Sequence, residues 1–139
     1  MTVRERLQQY YQDKGLEAPD GWFGVVLRGK RYRLFPQGPL KPLFTLHDLH
    51  HIVTGYETSL AGEAQIVAWE IASGGFRRYW FAWMDVAKIL LFALLFPARF
   101  RAGWRRGRHA SNLYGQELDA LLDFEWSELM VLVETTEPR

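Results

Sequence analysis

Three of the chain's four histidines fall within five residues, in the run His47-Asp48-Leu49-His50-His51, and Glu63 follows after eleven more. His47 and His51 are four apart, so on a helix their rings project side by side. That is the spacing at which zinc-binding helices offer two imidazoles to one ion. Asp48 lies one residue on, about 100° around the helix. Glu63 falls near the start of the next expected helix. The turn at 55–59 is short enough for that helix to fold back antiparallel and bring Glu63 toward the two histidines. The donors are two nitrogens and one or two carboxylate oxygens, a set that suits zinc and is open to iron or manganese. Cysteine is absent, which excludes disulfides, thiolate zinc sites, iron–sulfur clusters and cysteine nucleophiles.

Each member also has a plainer reading. A histidine pair at this spacing on a surface helix can simply be solvated. Asp48 is explained by helix capping and the helix dipole, and Glu63 by the dipole alone. His50 reads as a packing residue rather than a ligand. Spacing alone leaves a metal site and an ordinary helix both open. A metalloprotease fits poorly. Its His-Glu-x-x-His helix uses the Glu as general base, whereas the acid here is Asp, one methylene shorter, with no third histidine at the metzincin spacing.

The elements that must position these residues are mainly helical. Val3–Lys14 reads as a short helix with Leu7, Tyr10 and Tyr11 on one side, stopped by Gly15. Residues 17–21 read as a loop. Phe23, Val25 and Leu27, then Tyr32 and Leu34, alternate with smaller or polar positions around a Gly29-Lys30 turn, the pattern of a β-hairpin. A lone hairpin is only marginally stable, so this one is expected to pack on helices. A proline-rich connector covers 36–42. Thr45, with Asp48 three residues later, reads as a capping box opening a helix that stops near Gly55. A second helix runs from about Leu60 to Ala72 and ends at Ser73-Gly74-Gly75. A closing helix at 125–134 is built on Trp126, Leu129, Met130 and Val133. The expected fold class is mainly α: a single-domain helical bundle over residues 1–139 around a central apolar helix, with one small N-terminal β-hairpin.

The central apolar helix of that expectation is the stretch 80–96, closed by Pro97. As a helix it is about 26 Å long, short of a bilayer core of roughly 30 Å. Asp85 and Lys88 would each cost on the order of 3 kcal/mol within a bilayer; three residues apart, they can pair on one face. The stretch therefore reads as buried rather than transmembrane. Trp83, Ile89, Leu90 and Phe92 on it are candidates to line a long apolar ligand, or are simply core. Five arginines fall between Arg99 and Arg108. Of these, Arg105, Arg106 and Arg108 are candidates to meet an anionic head group or lipid phosphates. The net charge is only +1, because residues 113–137 carry seven acidic side chains and no basic one. That balance weighs against a nucleic-acid partner. The first residues lack the apolar run of a signal peptide, so the expected location is cytoplasmic, peripheral to the inner face of the membrane. Aromatic residues at 15% and the apolar helix would suit a homodimer.

The pattern H-D-x-x-H-x(11)-E resembles the signature of the ubiquinone (coenzyme Q) biosynthesis protein 4 family, with His47, Asp48, His51 and Glu63 at its fixed positions. Val53-Thr54-Gly55 is similar to the family's hydrophobic-Thr-Gly turn, and Gly62 precedes the glutamate. Gly107-Arg108-His109-Ala110-Ser111-Asn112-Leu113 is similar to its G-R-x-A-x-x-L segment. The resemblance covers about residues 46–132. The hairpin and the short chain depart from the mainly helical family and fit a compact bacterial branch. The resemblance implies a divalent metal, zinc first, held by His47, Asp48, His51 and Glu63 as ligands and catalytic residues. It implies action on a prenylated hydroxybenzoate, with loss of the ring carboxylate and oxidation at that carbon: a metal-dependent decarboxylase working beside other enzymes of quinone synthesis. The alternative is a non-catalytic prenyl-lipid-binding or scaffold protein of that assembly at the membrane surface. A third reading, a membrane-surface or nucleic-acid binder resting on the arginines alone, is weakened by the acidic end.

Overall fold

The computed structural model describes residues 1–16, 22–36 and 38–134, so the loop expected at 17–21 lies outside the described residues. Helix α1 is Val3–Lys14. Thr2 opens it with a capping box: its hydroxyl accepts from the Glu5 N–H, and the Glu5 carboxylate accepts from the Thr2 N–H. Gly15, at φ 62°, closes it in the left-handed conformation. Val3, Leu7 and Tyr11 form its buried face.

Strands β1 (Trp22–Leu27) and β2 (Lys30–Pro36) pair antiparallel, Leu27 opposite Lys30, with an irregularity between Phe23 and Gly24. The turn is Arg28-Gly29, one residue earlier than expected. Both residues have positive φ, 52° and 76°, as a type I′ turn requires. The hairpin is as expected, but its expected burial against helices is not met at Leu27, Tyr32 and Leu34, all of which are exposed.

Helix α2, Lys41–Thr54, starts four residues before the expected cap. Pro42 sits in its first turn, where a missing N–H breaks no helical bond. Thr45 is inside the helix and donates from Oγ1 to the Lys41 carbonyl at 2.9 Å, so the Thr45–Asp48 capping box does not form. The stop at Gly55, φ 73°, is as expected. Helix α3, Leu60–Ala72, has the bounds the sequence indicates, with Ser59 Oγ accepting from the Gly62 N–H at its start.

The centre of the bundle is α3, where 66–70 are all buried. The expectation that 80–96 supplies the central helix is therefore corrected. That stretch divides into a 3-10 turn, Trp80–Asp85, and helix α4, Val86–Leu95, lying at the periphery. Phe92 of α4 is in the core and Ile89 packs against it. Leu90, Leu91, Leu94 and Leu95 are 64%, 50%, 77% and 58% exposed. Apolarity demanded a cover, and α3 had already taken the core. Asp85 and Lys88 do form the expected i,i+3 pair, at 2.8 Å. Pro97 opens a further helix, α5, Pro97–Gly107, rather than merely ending the stretch. No helix among the described residues is long and apolar enough to cross a membrane.

Helices α3 and α5 approach backbone to backbone. Gly103 and Gly107 lie on the contact: a Cβ on Gly103 would strike the Gln65 carbonyl, and one on Gly107 would come within 3.0 Å of both the Trp69 Cα and the Ala72 Cβ. Helices α6, Leu118–Leu122, and α7, Trp126–Glu134, complete the described chain. The Val3 N–H donates to the Phe124 carbonyl and the Trp126 N–H to the Met1 carbonyl, each at 2.9 Å, tying the start of α1 to that of α7. The fold is thus mainly helical with an N-terminal hairpin.

Candidate metal centre

Helix α2 sets His47 and His51 on adjoining turns, their rings edge to face with centroids 4.8 Å apart. The turn from Gly55 to Ser59 then returns the chain to α3. It is tight because Gly62 lies on the Glu57 carbonyl, where a side chain would collide. Glu63, in the first turn of α3, reaches both rings. Its Oε2 is 3.3 Å from His47 Nε2 and its Oε1 is 3.1 Å from His51 Nε2. One ligand atom from each of the three residues lies within 4.8 Å of the others.

The two histidine–glutamate separations, 3.3 and 3.1 Å, are near the spacing a metal imposes, while the three donors as a set lie within 4.8 Å. Zinc held at about 2.0–2.1 Å in a tetrahedron places neighbouring ligand atoms roughly 3.3 Å apart. His51 Nδ1–H donates to the Tyr56 carbonyl at 3.0 Å, which turns Nε2 toward Glu63. That Nε2 is buried and, although close to Glu63, lacks a directed hydrogen bond among the described residues. A buried ring nitrogen left without a directed bond is available to an ion.

Behind the histidines lies a carboxylate that sequence reasoning missed. Glu70 of α3 is 1% exposed. Its Oε1 accepts from His47 Nδ1 at 2.8 Å, from His50 Nδ1 at 2.7 Å and from the Tyr114 hydroxyl at 2.6 Å. His50 Nε2 in turn accepts from the Leu113 N–H at 2.9 Å, so His50 is neutral and structural, not a ligand. A lone charge in the apolar run Ile66-Val67-Ala68-Trp69-Glu70-Ile71 was the available signal, since an acid almost never enters a core unpaired.

The charges reinforce one another. Burial alone would lower the His47 pKa, but Glu70 and Glu63 outweigh it and push it up to about 10. Burial would raise the Glu63 carboxyl, yet His47 and His51 bring it down to about 2. Glu70 is likewise held well below the usual carboxylate range by His47 and His50, against its burial.

Asp48 is the one expected ligand that the structure does not bring into the group. Its Oδ2 accepts from the Tyr11 hydroxyl of α1 at 2.8 Å. His47 and Glu63, with Glu70 and Tyr114, line one end of a cavity of about 310 Å³. Leu43, Phe44, Val67, Phe81 and Ile89 give it apolar walls, and the Asp85–Lys88 pair stands on its lining too. Of the residues expected to meet a ligand, Ile89 alone lines this cavity. Phe92 is core, and Trp83 packs edge-on to Phe76, centroids 5.0 Å apart. Arg105 and Arg108 are exposed and stand outside the cavity lining, Arg105 beside Trp104 on a separate surface depression. Arg106, expected to meet a head group with them, instead donates to the Thr54 carbonyl at 2.6 Å and lies over the Tyr56 ring, bracing the turn that holds His51.

Compared with protein-family models the chain matches none, and no curated protein matches it significantly.

Proposed function

We propose that this chain is a metal-dependent protein of ubiquinone or prenylquinone biosynthesis that acts on a prenylated hydroxybenzoate, releasing the ring carboxylate as carbon dioxide with oxidation at that carbon, for which dioxygen is the external oxidant. The observation that carries the reading is the convergence of His47, His51 and Glu63, of which His47 and Glu63 line a largely apolar cavity, in the order and spacing H-D-x-x-H-x(11)-E. The donor set suits zinc, with iron and manganese as the other candidates. When bound, the metal would supply Lewis acidity to a carboxylate or phenolic oxygen. The chain's own residues do the rest. His47 and Glu63 present their donor atoms to the cavity. Leu43, Phe44, Val67, Phe81 and Ile89 exclude water and hold an apolar ring, in a space at the small end of ligand pockets.

Metal analysis of the purified protein, with His47→Ala and His51→Ala as controls, tests the centre; wild type without stoichiometric metal sinks it. The metal-loaded protein is then expected to convert a prenylated hydroxybenzoate.

A second reading is favoured by the outer face of α4. There the chain is a non-catalytic protein that presents a prenyl lipid to other quinone-synthesis enzymes at a membrane surface. Four exposed leucines adjoin α5, and residues 86–116 carry Lys88 and five arginines without one acidic side chain. A homodimer would cover the same face. A prenyl lipid co-purifying by native mass spectrometry, without turnover by the metal-loaded protein, selects this reading.

A further inference from the structure

We propose that Glu70 is a positioning residue for the metal centre: its Oε1 holds His47 with Nε2 turned to the cavity and fastens that ring, through the same atom, to His50 and Tyr114. The inference rests on the metal-centre reading above and deepens it.

The geometry argues from what the fold does not need. Position 70 lies in a helix whose neighbours Ile66, Val67 and Trp69 are buried and apolar. A carboxylate at 1% exposure is costly unless fully paired, and an apolar residue there would remove the cost outright. The centre is what needs it. His47 is still 23% exposed at its side chain, and toward the cavity its bonded partner among the described residues is Glu63, at 3.3 Å. With Nδ1–H donated to Glu70 at 2.8 Å, Nε2 is the nitrogen turned toward Glu63 and the cavity, and the one a metal takes once its proton is released. The same oxygen takes donors from α2 and from the segment after α5, at 2.7 and 2.6 Å. A neutral amide has one carbonyl oxygen with two lone pairs and cannot satisfy three donors there. A carboxylate on the far nitrogen of a ligating histidine orients that ligand and raises its basicity.

The test uses zinc alone as probe on the full chain. Glu70→Gln keeps the volume, and its zinc affinity is expected to fall roughly 10–100-fold. Asn112→Ala is the control for general loosening. It removes side-chain bonds to the Glu70 and Gly75 carbonyls, at 2.9 and 2.8 Å, and the 3.2 Å bond that its Oδ1 accepts from the Tyr114 N–H, without touching the Glu70 carboxylate, and should leave zinc affinity unchanged. Equal affinity in wild type and Glu70→Gln overturns the proposal while the centre stands. An equal loss in Asn112→Ala also overturns it, since the role would then be merely structural. Nitrogen-15 NMR of wild type needs no variant: zinc-loaded His47 should be bound through Nε2 with a proton on Nδ1, and binding through Nδ1 refutes the assignment. Should wild type take up no zinc, the metal reading fails separately. The positioning claim is then decided on metal-free protein, by whether the slowly exchanging Nδ1 proton of His47 survives in Glu70→Gln; survival overturns it.

Discussion

The Tyr11 hydroxyl donates to Asp48 Oδ2 at 2.8 Å, and this bond ties the second residue of the H-D-x-x-H motif to α1, while the other three form the group that could hold a metal. Burial raises the Asp48 carboxyl, and the Tyr11 bond counters that rise. Asp48→Asn is therefore expected to keep stoichiometric zinc, whereas His51→Ala loses it. A loss of zinc in Asp48→Asn equal to that in His51→Ala would make Asp48 a ligand after all. Tyr11→Phe leaves a largely buried acceptor short of one donor and should cost about 1–3 kcal/mol in chemical denaturation. Tyr10→Phe is the contrast. Its hydroxyl is buried without a partner among the described residues, so its removal should be neutral or stabilising.

The α3–α5 contact yields a second prediction. Gly103 sits on the Gln65 carbonyl, a backbone atom that cannot rotate aside. Gly103→Ala must push α5 off α3, at a cost of roughly 1–3 kcal/mol or more in thermal unfolding. Because α3 carries both Glu63 and Glu70, zinc affinity should fall with it. An alanine variant as stable as wild type would show that the two helices stand farther apart.

What could be read from the sequence was whatever local chemistry settles. The bounds of α3 follow from Ser59 at one end and Ser73-Gly74-Gly75 at the other, both within the segment itself. The His47–His51–Glu63 group was legible because helical spacing and a short turn leave little freedom. The start of α2 was not, since a threonine followed by an acid three residues on suits a cap and an interior turn alike. Which apolar helix becomes the core was not legible either. Residues 80–96 and α3 are both apolar, and only tertiary packing decides that α3 is central. Glu70 escaped because its three donors come from residues 47, 50 and 114, far apart in the chain.

The charges of the centre set a pH dependence. His47 is pushed up from 6.5 to about 10, so in metal-free protein its contribution to stability is fully present below about pH 6.5 and is lost as pH rises through about 10. Glu63 is drawn down from 4.5 to about 2, so its contribution is present above about pH 4.5 and lost as pH falls through about 2. Metal-free stability should therefore be greatest between these limits and decline on both sides. Zinc needs the neutral ring, so uptake near neutral pH must release the His47 proton, and affinity should rise with pH. Calorimetric titration in two buffers of different ionisation enthalpy counts that proton. A heat independent of the buffer would mean that His47 is already neutral.

The exposed leucines of α4 give the last prediction, and it separates the two readings of function. The inner face of the helix, with Ile89 and Phe92, meets the cavity and the core. The outer face, with Leu90 and Leu94, touches neither, so charged substitutions there should shift stability by no more than about 0.5 kcal/mol. Leu90→Glu with Leu94→Glu is expected to abolish sedimentation with vesicles rich in anionic phospholipid, because it removes apolar contact and adds repulsion beside the arginines. Wild-type binding to those vesicles should weaken as salt is raised. Turnover of a detergent-dispersed prenylated hydroxybenzoate by the double variant is then decisive between the readings. Conversion at the wild-type rate means that the membrane face delivers the ligand while the metal centre does the chemistry. No conversion by either protein, with zinc bound in both, leaves the presenting role as the function.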